Sequence, residues 1–227
     1  MHRQPMGATR LEATELATLR TVLRSALVSD ALDAVGLRAQ TLSADITCLA
    51  GSVVLIGRAF TVTAEPVDGV PEVPYVGLRR ALESIGPDEV YVFGTSRSDA
   101  YAAWGEVVSM AARAAGAVGF LTDGLIRDRE QVERLGFPVY ARGTTPIDIN
   151  GRAEVVGHGL PVTIAGVTIA RGDLIVGDRD GVVVVPRGVQ REVIDRALEK
   201  ASTESMFRAA VAGGSSVLDA LDHFDIL

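Results

Sequence analysis

The sequence predicts an α/β protein folded as a single domain. Short β-branched apolar runs alternate with helix-forming stretches, and most of those stretches end at a glycine. No segment is long enough to divide the chain as a linker, and there is no internal repeat or low-complexity tract. The 227 residues, 48% hydrophobic and 22% charged, supply enough apolar side chain for one sizeable core.

Taken in order, residues 1–10 read as a loose tail. Leu11 to Leu27 is a helical pattern with Leu16, Leu19, Leu23 and Leu27 on one face. Ser29-Asp30 then caps a short helix, Ala31 to Val35, stopped by Gly36. Val53 to Ile56 and Ala59 to Ala64 are strand-like runs separated by Gly57-Arg58, where the glycine marks either a bulge or a close backbone approach. After the loop Pro66 to Pro74, Tyr75 to Ile85 reads as a helix and Val90 to Phe93 as a buried strand. Gly94 to Asp99 is a polar loop, read as solvated or as closing a pocket. Val107 to Ala115 is a helix stopped by Gly116, and Val118 to Leu121 is a strand. Asp123-Gly124 is turn chemistry, and Arg129 to Leu135 is a helix closed by Gly136.

Pro138 to Ala141 is another strand, and Thr144 to Asn150 a loop. Strands follow at Glu154 to Val156 and Pro161 to Ala170, the second folded into a hairpin at Ala165-Gly166. The run from Gly172 to Gly181 leads into Val182 to Val185, an Asp-Gly turn joining two very apolar strands whose acids read as turn formers. A helical extension occupies 188–222: a long helix, Val189 to Ala212, then a short one, Ser216 to Leu221. The far half of the long helix, with Glu199, Glu204 and Arg208, reads either as a solvated face or as a reach to another subunit.

Composition removes several function classes. The net charge of −7 argues against a nucleic-acid binder, which needs a basic face. No apolar run approaches the roughly 20 residues that span a bilayer. Met1-His2-Arg3-Gln4-Pro5 has no apolar run behind it, so no signal peptide is expected and the cytoplasm is the expected location. Cys48 is the only cysteine, which leaves no internal disulfide and no thiolate zinc cluster. Lys200, the only lysine, lies in a charged stretch that reads as solvated, whereas a Schiff base needs a desolvated lysine. His2, His158 and His223 lack ligand spacing. His158 sits between Gly157 and Gly159, a setting that would suit a phosphoryl carrier, but no other phosphate signal accompanies it.

Chemistry concentrates between Trp104 and Asp128. A helix starting near Gly105 presents unpaired backbone N–H groups, and its dipole favours an anion. Gly105 has no side chain to block a ligand. Glu106 and Asp128 supply hard oxygen ligands, and Arg127 supplies a planar fork for a carboxylate or a developing oxyanion. Together they suit a small carboxylate and a hard metal ion. Each residue also has a plain structural role: Asp128 with Gln131 fits a helix capping box, Glu106 complements a helix dipole, and Arg127 fits a surface.

Trp104-Gly105-Glu106-Val107-Val108, Gly116, Gly119, Asp123-Gly124-x-x-Arg127-Asp128 and Gly177-Asp178-Arg179-Asp180-Gly181 with the following Val182 to Pro186 resemble the RraA-like family. That family includes the class II 4-hydroxy-4-methyl-2-oxoglutarate/4-carboxy-4-hydroxy-2-oxoadipate aldolases and the regulator of ribonuclease activity A. The resemblance runs from about Ser29 to the C-terminal helix. It implies an α/β/β sandwich of the swivelling β/β/α type, a homotrimer or dimer of trimers, and a site between subunits. Carried over by position, Asp128 binds a divalent metal, Mg2+ or Mn2+, and Glu106 holds a metal-bound water. The N–H groups around Gly105, Glu106, Val107 and Val108 grip the carboxylate of a 2-oxo acid, and Arg127 stabilises developing oxygen charge or positions the substrate hydroxyl. Glu204, or else Glu199, reaches the site from a neighbouring subunit to hold another metal-bound water. Many family members have Leu-Leu where this chain has Val107-Val108; the contact is through backbone, so binding can survive while the pocket is reshaped.

The activity implied is a metal-dependent aldolase that cleaves a 4-hydroxy-2-oxo acid to pyruvate through a metal-stabilised enolate. Oxaloacetate decarboxylation gives the same enolate and is the expected second activity. The rival implied by the same resemblance is a non-catalytic regulator that binds a ribonuclease. The intact set Glu106, Arg127 and Asp128 favours the enzyme, because a pure regulator has no chemical need for it.

Overall fold

A computed structural model describes residues 11–51 and 54–225. In chain order the elements are α1 (Ala13–Val22), α2 (Ser25–Ala34), β1 (Thr47–Ala50), β2 (Leu55–Pro66), α3 (Val76–Ser84), β3 (Glu89–Gly94), β4 (Ala102–Trp104), α4 (Glu106–Ala114) and β5 (Gly119–Thr122). There follow β6 (Leu125–Ile126), α5 (Arg129–Leu135), β7 (Val139–Ala141), β8 (Gly143–Thr144), β9 (Ala153–His158), β10 (Val162–Ile164) and β11 (Val167–Ile169). The chain ends in β12 (Leu174–Gly177), β13 (Val182–Val185), α6 (Gln190–Ala212) and α7 (Val217–Phe224).

The main sheet has 8 strands in the order β1-β7-β5-β3-β2-β12-β13, with β9 pairing the far half of β2. Strands β2, β3, β5 and β7 run parallel, the signature of strands joined through helices. β2 organises the sheet because its side chains alternate between two cores. Ile56, Phe60 and Val62 point to the helices, while Leu55 and Ala59 point away. On the helix side, Phe60, Tyr91, Phe93 and Phe120 pack with Trp104, Ala81, Ala112 and Val132. Beside them, Leu16, Leu19, Leu32, Val193 and Ile194 cover Ile56, Val176 and Val183. The opposite face is covered by the β10–β11 hairpin through Val162, Ile164, Val167 and Ile169. Helices, main sheet and hairpin thus form the expected α/β/β layering. Among the described residues no helix is long and apolar enough to cross a membrane.

Several sequence expectations change in the folded chain. The single helix over Leu11 to Leu27 is two helices, because Leu23 and Arg24 are extended. The break is stabilised from afar: Asp178 accepts the Ser25 N–H at 2.7 Å and the Ser25 hydroxyl at 2.6 Å. Ser29-Asp30 therefore lies inside α2 rather than capping a helix. The two runs flanking Gly57 are one strand, with Val53 lying outside the described residues. Gly57 marks a close approach: a Cβ there would stand 2.6 Å from Val118 Cγ2 and 2.9 Å from the Asp88 carbonyl oxygen. The hairpin turn at Ala165-Gly166 forms as expected, with positive φ at both residues (47° and 88°). Residues 102–104, 125–126 and 143–144, which the sequence marks as no strand, form a second small sheet, β4-β6-β8. Strands of two or three residues carry no readable periodicity.

Candidate active site

The small parallel sheet brings the two ends of the chemical stretch together. β4 pairs with β6, and the Arg127 N–H donates to the Trp104 carbonyl oxygen at 2.9 Å. Gly105 and Arg127-Asp128 therefore lie side by side at the ends of parallel strands. Trp104 anchors this edge: its ring stacks on Phe120 with centroids 4.1 Å apart, and its indole N–H donates to Ser109 Oγ at 2.7 Å. That hydroxyl donates in turn to the Gly105 carbonyl oxygen at 2.8 Å, tying the start of α4 to the core.

Gly105 is required by contact rather than by conformation. Its backbone is extended, but a Cβ would fall 2.7 Å from Asp128 Oδ2 and 3.1 Å from Arg127 Cγ. Asp128 takes a left-handed backbone (φ 56°), uncommon for a residue other than glycine. The expected capping box with Gln131 does not form, since Asp128 makes no side-chain cap bond to α5. Instead its Oδ2 accepts the Glu106 N–H at 3.3 Å, at the start of α4. A carboxylate thus sits on the positive end of a neighbouring helix. Val107 and Val108 occupy the same first turn, where backbone N–H groups lack intrahelical partners. Val107 is 75% exposed.

Arg127 lies between two acids. Its Nε stands 3.6 Å from Asp128 Oδ2 and its Nη1 3.3 Å from Asp148 Oδ2. Asp148 Oδ2 also accepts the Tyr75 hydroxyl at 2.7 Å. Burial raises the Asp148 carboxyl, but the Tyr75 hydrogen bond and the Arg127 charge outweigh it, and the group sits below the ordinary carboxylate range. Donation to Asp148, with burial adding to it, pushes the Tyr75 phenol above its usual value. Sequence reasoning missed Asp148 and Tyr75. The only signal was a polar loop following β8, and β8 itself was not recognised.

The polar loop Gly94 to Asp99 is pinned rather than merely solvated. Asp123 is buried and accepts Thr95 N at 2.8 Å, Thr95 Oγ1 at 2.9 Å and Arg97 N at 3.0 Å. Arg142 fixes the same turn by donating from Nε to the Asp123 carbonyl oxygen at 2.6 Å.

The remaining candidates lie elsewhere. Glu204 pairs with Arg208 at 3.3 Å and lines a cleft of about 540 Å³ with Arg24, Asp30 and Asp180. Glu199 is exposed on α6. Within one chain, neither joins Glu106, Arg127 and Asp128 in any hydrogen bond or ion pair among the described residues. Lys200 pairs with Asp30 on the surface, consistent with its reading as solvated. His158 is exposed at the end of β9 and stacks on Phe60, with centroids 5.1 Å apart.

A profile of the RraA-like family, described as Aldolase/RraA, matches residues 25–184. The chain belongs to this family. A relative from Halalkalibacterium halodurans, named "Putative 4-hydroxy-4-methyl-2-oxoglutarate aldolase", is 31% identical over 185 residues, covering 82% of this chain and 83% of that protein. The crystal structure of an uncharacterized protein from Pseudomonas syringae pv. tomato superposes with a TM-score of 0.80 at 30% identity, over 93% of this chain and 98% of that one. Streptomyces coelicolor RraAS2, described as an unusual member of the RNase ES inhibitor RraA protein family, gives a TM-score of 0.76 at 29% identity, over 88% of this chain and 98% of that one.

Among the described residues no group of three or more His, Cys, Asp or Glu gathers as a metal cage. The donor set still fits a hard divalent ion. Magnesium keeps several waters and is commonly held by one or two carboxylates, and here the Asp128 carboxylate lies at the start of α4, against the backbone N–H of Glu106. The absence of a Cβ at Gly105 leaves the Asp128 carboxylate uncrowded.

Proposed function

We propose that this RraA-like chain is a divalent-metal-dependent lyase that cleaves a 4-hydroxy-2-oxo acid, such as 4-hydroxy-4-methyl-2-oxoglutarate, to pyruvate. The observation that carries the reading is the meeting of Arg127 and Asp128 with the open start of α4 at Gly105. Asp128 is the group that would hold Mg2+ or Mn2+ directly, with Glu106, and Glu204 or Glu199 from a neighbouring copy in a homotrimer or dimer of trimers, holding it through water. The bound ion supplies Lewis acidity toward a 2-oxo acid. The backbone N–H groups of Val107 and Val108 orient the substrate carboxylate at the helix N-terminus. Glu106 would hold a water beside the C4 hydroxyl, positioned to take its proton. Arg127 stabilises the oxygen charge that develops as the C3–C4 bond breaks, an effect worth about 3–4 kcal/mol for one well-placed donor. Loss of carbon dioxide from oxaloacetate develops the same charge, so oxaloacetate decarboxylation is the second activity. The proposed setting is the cytoplasm, with no nucleic-acid or membrane partner.

The test is pyruvate release from oxaloacetate and from 4-hydroxy-4-methyl-2-oxoglutarate, with Mg2+, with Mn2+ and with EDTA. Metal-dependent turnover, abolished in Asp128→Ala and strongly reduced in Arg127→Ala, is the expected result. No turnover of either compound above the free metal's background would overturn the reading. The alternative, a protein-binding regulator of a ribonuclease, draws on the likeness to RraAS2. Inhibition of a ribonuclease by a catalytically silent protein would establish it.

A further inference from the structure

Arg127 carries the charge-stabilising step of the proposed reaction, yet its side chain is 38% exposed. A long side chain in that setting retains much of its rotamer freedom unless its fork is engaged. Asp128 engages Nε only at 3.6 Å, and its Oδ2 also faces the Glu106 N–H. Asp148 is differently placed. Its Oδ2 meets Nη1 of Arg127 at 3.3 Å and the Tyr75 hydroxyl at 2.7 Å, so one oxygen joins both side chains. Both partners are fixed by backbone. Asp148 bridges Ala102, the first residue of β4 and three positions before Gly105, while Ala102 N–H donates to the Ile147 carbonyl oxygen at 2.8 Å. The Tyr75 N–H donates to Glu154 Oε1 at 3.2 Å.

We propose that Asp148 is a positioning residue for Arg127: steadied by the Tyr75 hydroxyl, its carboxylate holds the guanidinium toward the oxygens of a 2-oxo acid at the Gly105–Val108 turn. This rests on the lyase reading and deepens it. The substrate carboxylate is gripped by α4 backbone groups, so loosening Arg127 weakens the transition state more than the ground state. The loss therefore falls on kcat rather than KM.

The test uses the full chain with Mn2+ and oxaloacetate, comparing Asp148→Ala, Asp148→Asn, Tyr75→Phe, Arg127→Ala and the double variant Asp148→Ala/Arg127→Ala. Asp148→Ala and Asp148→Asn are expected to lower kcat about 10- to 100-fold, the usual cost of losing a residue that orients a catalytic group, with KM within about twofold. Tyr75→Phe has a smaller effect in the same direction. In the Arg127→Ala background, removing Asp148 changes kcat by less than about twofold, because residues acting through one another are not additive. Multiplicative losses, or an unchanged kcat in Asp148→Ala, would overturn the proposal. A readout independent of turnover is the Arg127 Nε–H signal in 15N-labelled protein, assigned by its loss in Arg127→Lys. It is expected to shift and broaden in Asp148→Ala, while the Arg20 signal, whose Nε donates to the Ile56 carbonyl oxygen at 2.9 Å, stays in place. An unmoved Arg127 signal rejects the positioning role. A protein without turnover but with the moved signal rejects only the lyase reading.

Discussion

At the scale of single residues, Gly105 leaves the site no room for a side chain. A methyl group there would stand 2.7 Å from the Asp128 carboxylate, inside any real contact distance. Its φ of −164° is extended backbone that alanine also adopts, so the cost falls on the site rather than on the fold. Gly105→Ala is expected to lower kcat/KM about 100-fold, the penalty of a displacement near 1 Å at a reacting centre. The melting temperature should stay within a few degrees of the parent; steady-state kinetics and calorimetry check both halves. Gly105, Glu106, Arg127 and Asp128 were legible in the sequence because their residue types cluster around a predicted helix start and turn. Tyr75 and Asp148 were not. They lie 73 positions apart and meet only because the loop after β8 folds onto β4 while β9 holds the start of α3 beside it. Asp128 was legible in kind but not in geometry: it serves the start of α4, not the start of its own helix.

At the scale of elements, the break between α1 and α2 is set by a residue more than a hundred positions away. Leucine spacing continues through Leu23 and Leu27, so periodicity alone reads one helix. Folding brings Asp178, at the end of β12, onto the first turn of α2, where both its oxygens are taken by Ser25. Asp178 Oδ1 also accepts the Asp180 N–H at 3.0 Å and so shapes the turn into β13. Asp178→Ala is expected to destabilise the fold by about 1–2 kcal/mol, the range for losing a helix cap. Urea unfolding of the parent and variant measures it, and an unchanged midpoint would show that the contact contributes nothing net. α3, α4, α5 and α6 were readable because each carries helix-forming sequence closed by a glycine, at Gly86, Gly116, Gly136 and Gly213. The strands of β4-β6-β8 were not, being too short for alternation to register.

At the scale of the whole molecule, helices lie on one face of the main sheet and a hairpin on the other, leaving the candidate site at the small second sheet. Two apolar residues of the site's own helix, Val107 and Met110, are 75% and 54% exposed. This suits the proposed subunit interface beside the site. An ion held by the folded chain and not by the unfolded one raises stability by mass action. Saturating Mg2+ or Mn2+, at about 100 times its dissociation constant, is expected to add about 2.7 kcal/mol. Thermal unfolding with and without the ion reads the shift, and Asp128→Ala should abolish it. A shift that survives in Asp128→Ala would place the ion elsewhere.

By itself the sequence determined the α/β class, the order of the long elements and the family, since each rests on local pattern or on residues close in the chain. It also brought forward Gly105, Glu106, Arg127 and Asp128 as candidates for the site, because glycine, arginine and acids declare their chemistry wherever they stand. Only the tertiary structure decided which oxygen faces which nitrogen. Asp128 turned toward α4 and Arg127 came to lie between two acids because parallel pairing of short strands joins segments that no periodicity connects, and Tyr75 reached Asp148 from the start of α3, which is tied to β9 through Glu154. Side-chain direction at a strand end depends on φ, ψ and the neighbours that crowd it, and those exist only once the chain has folded.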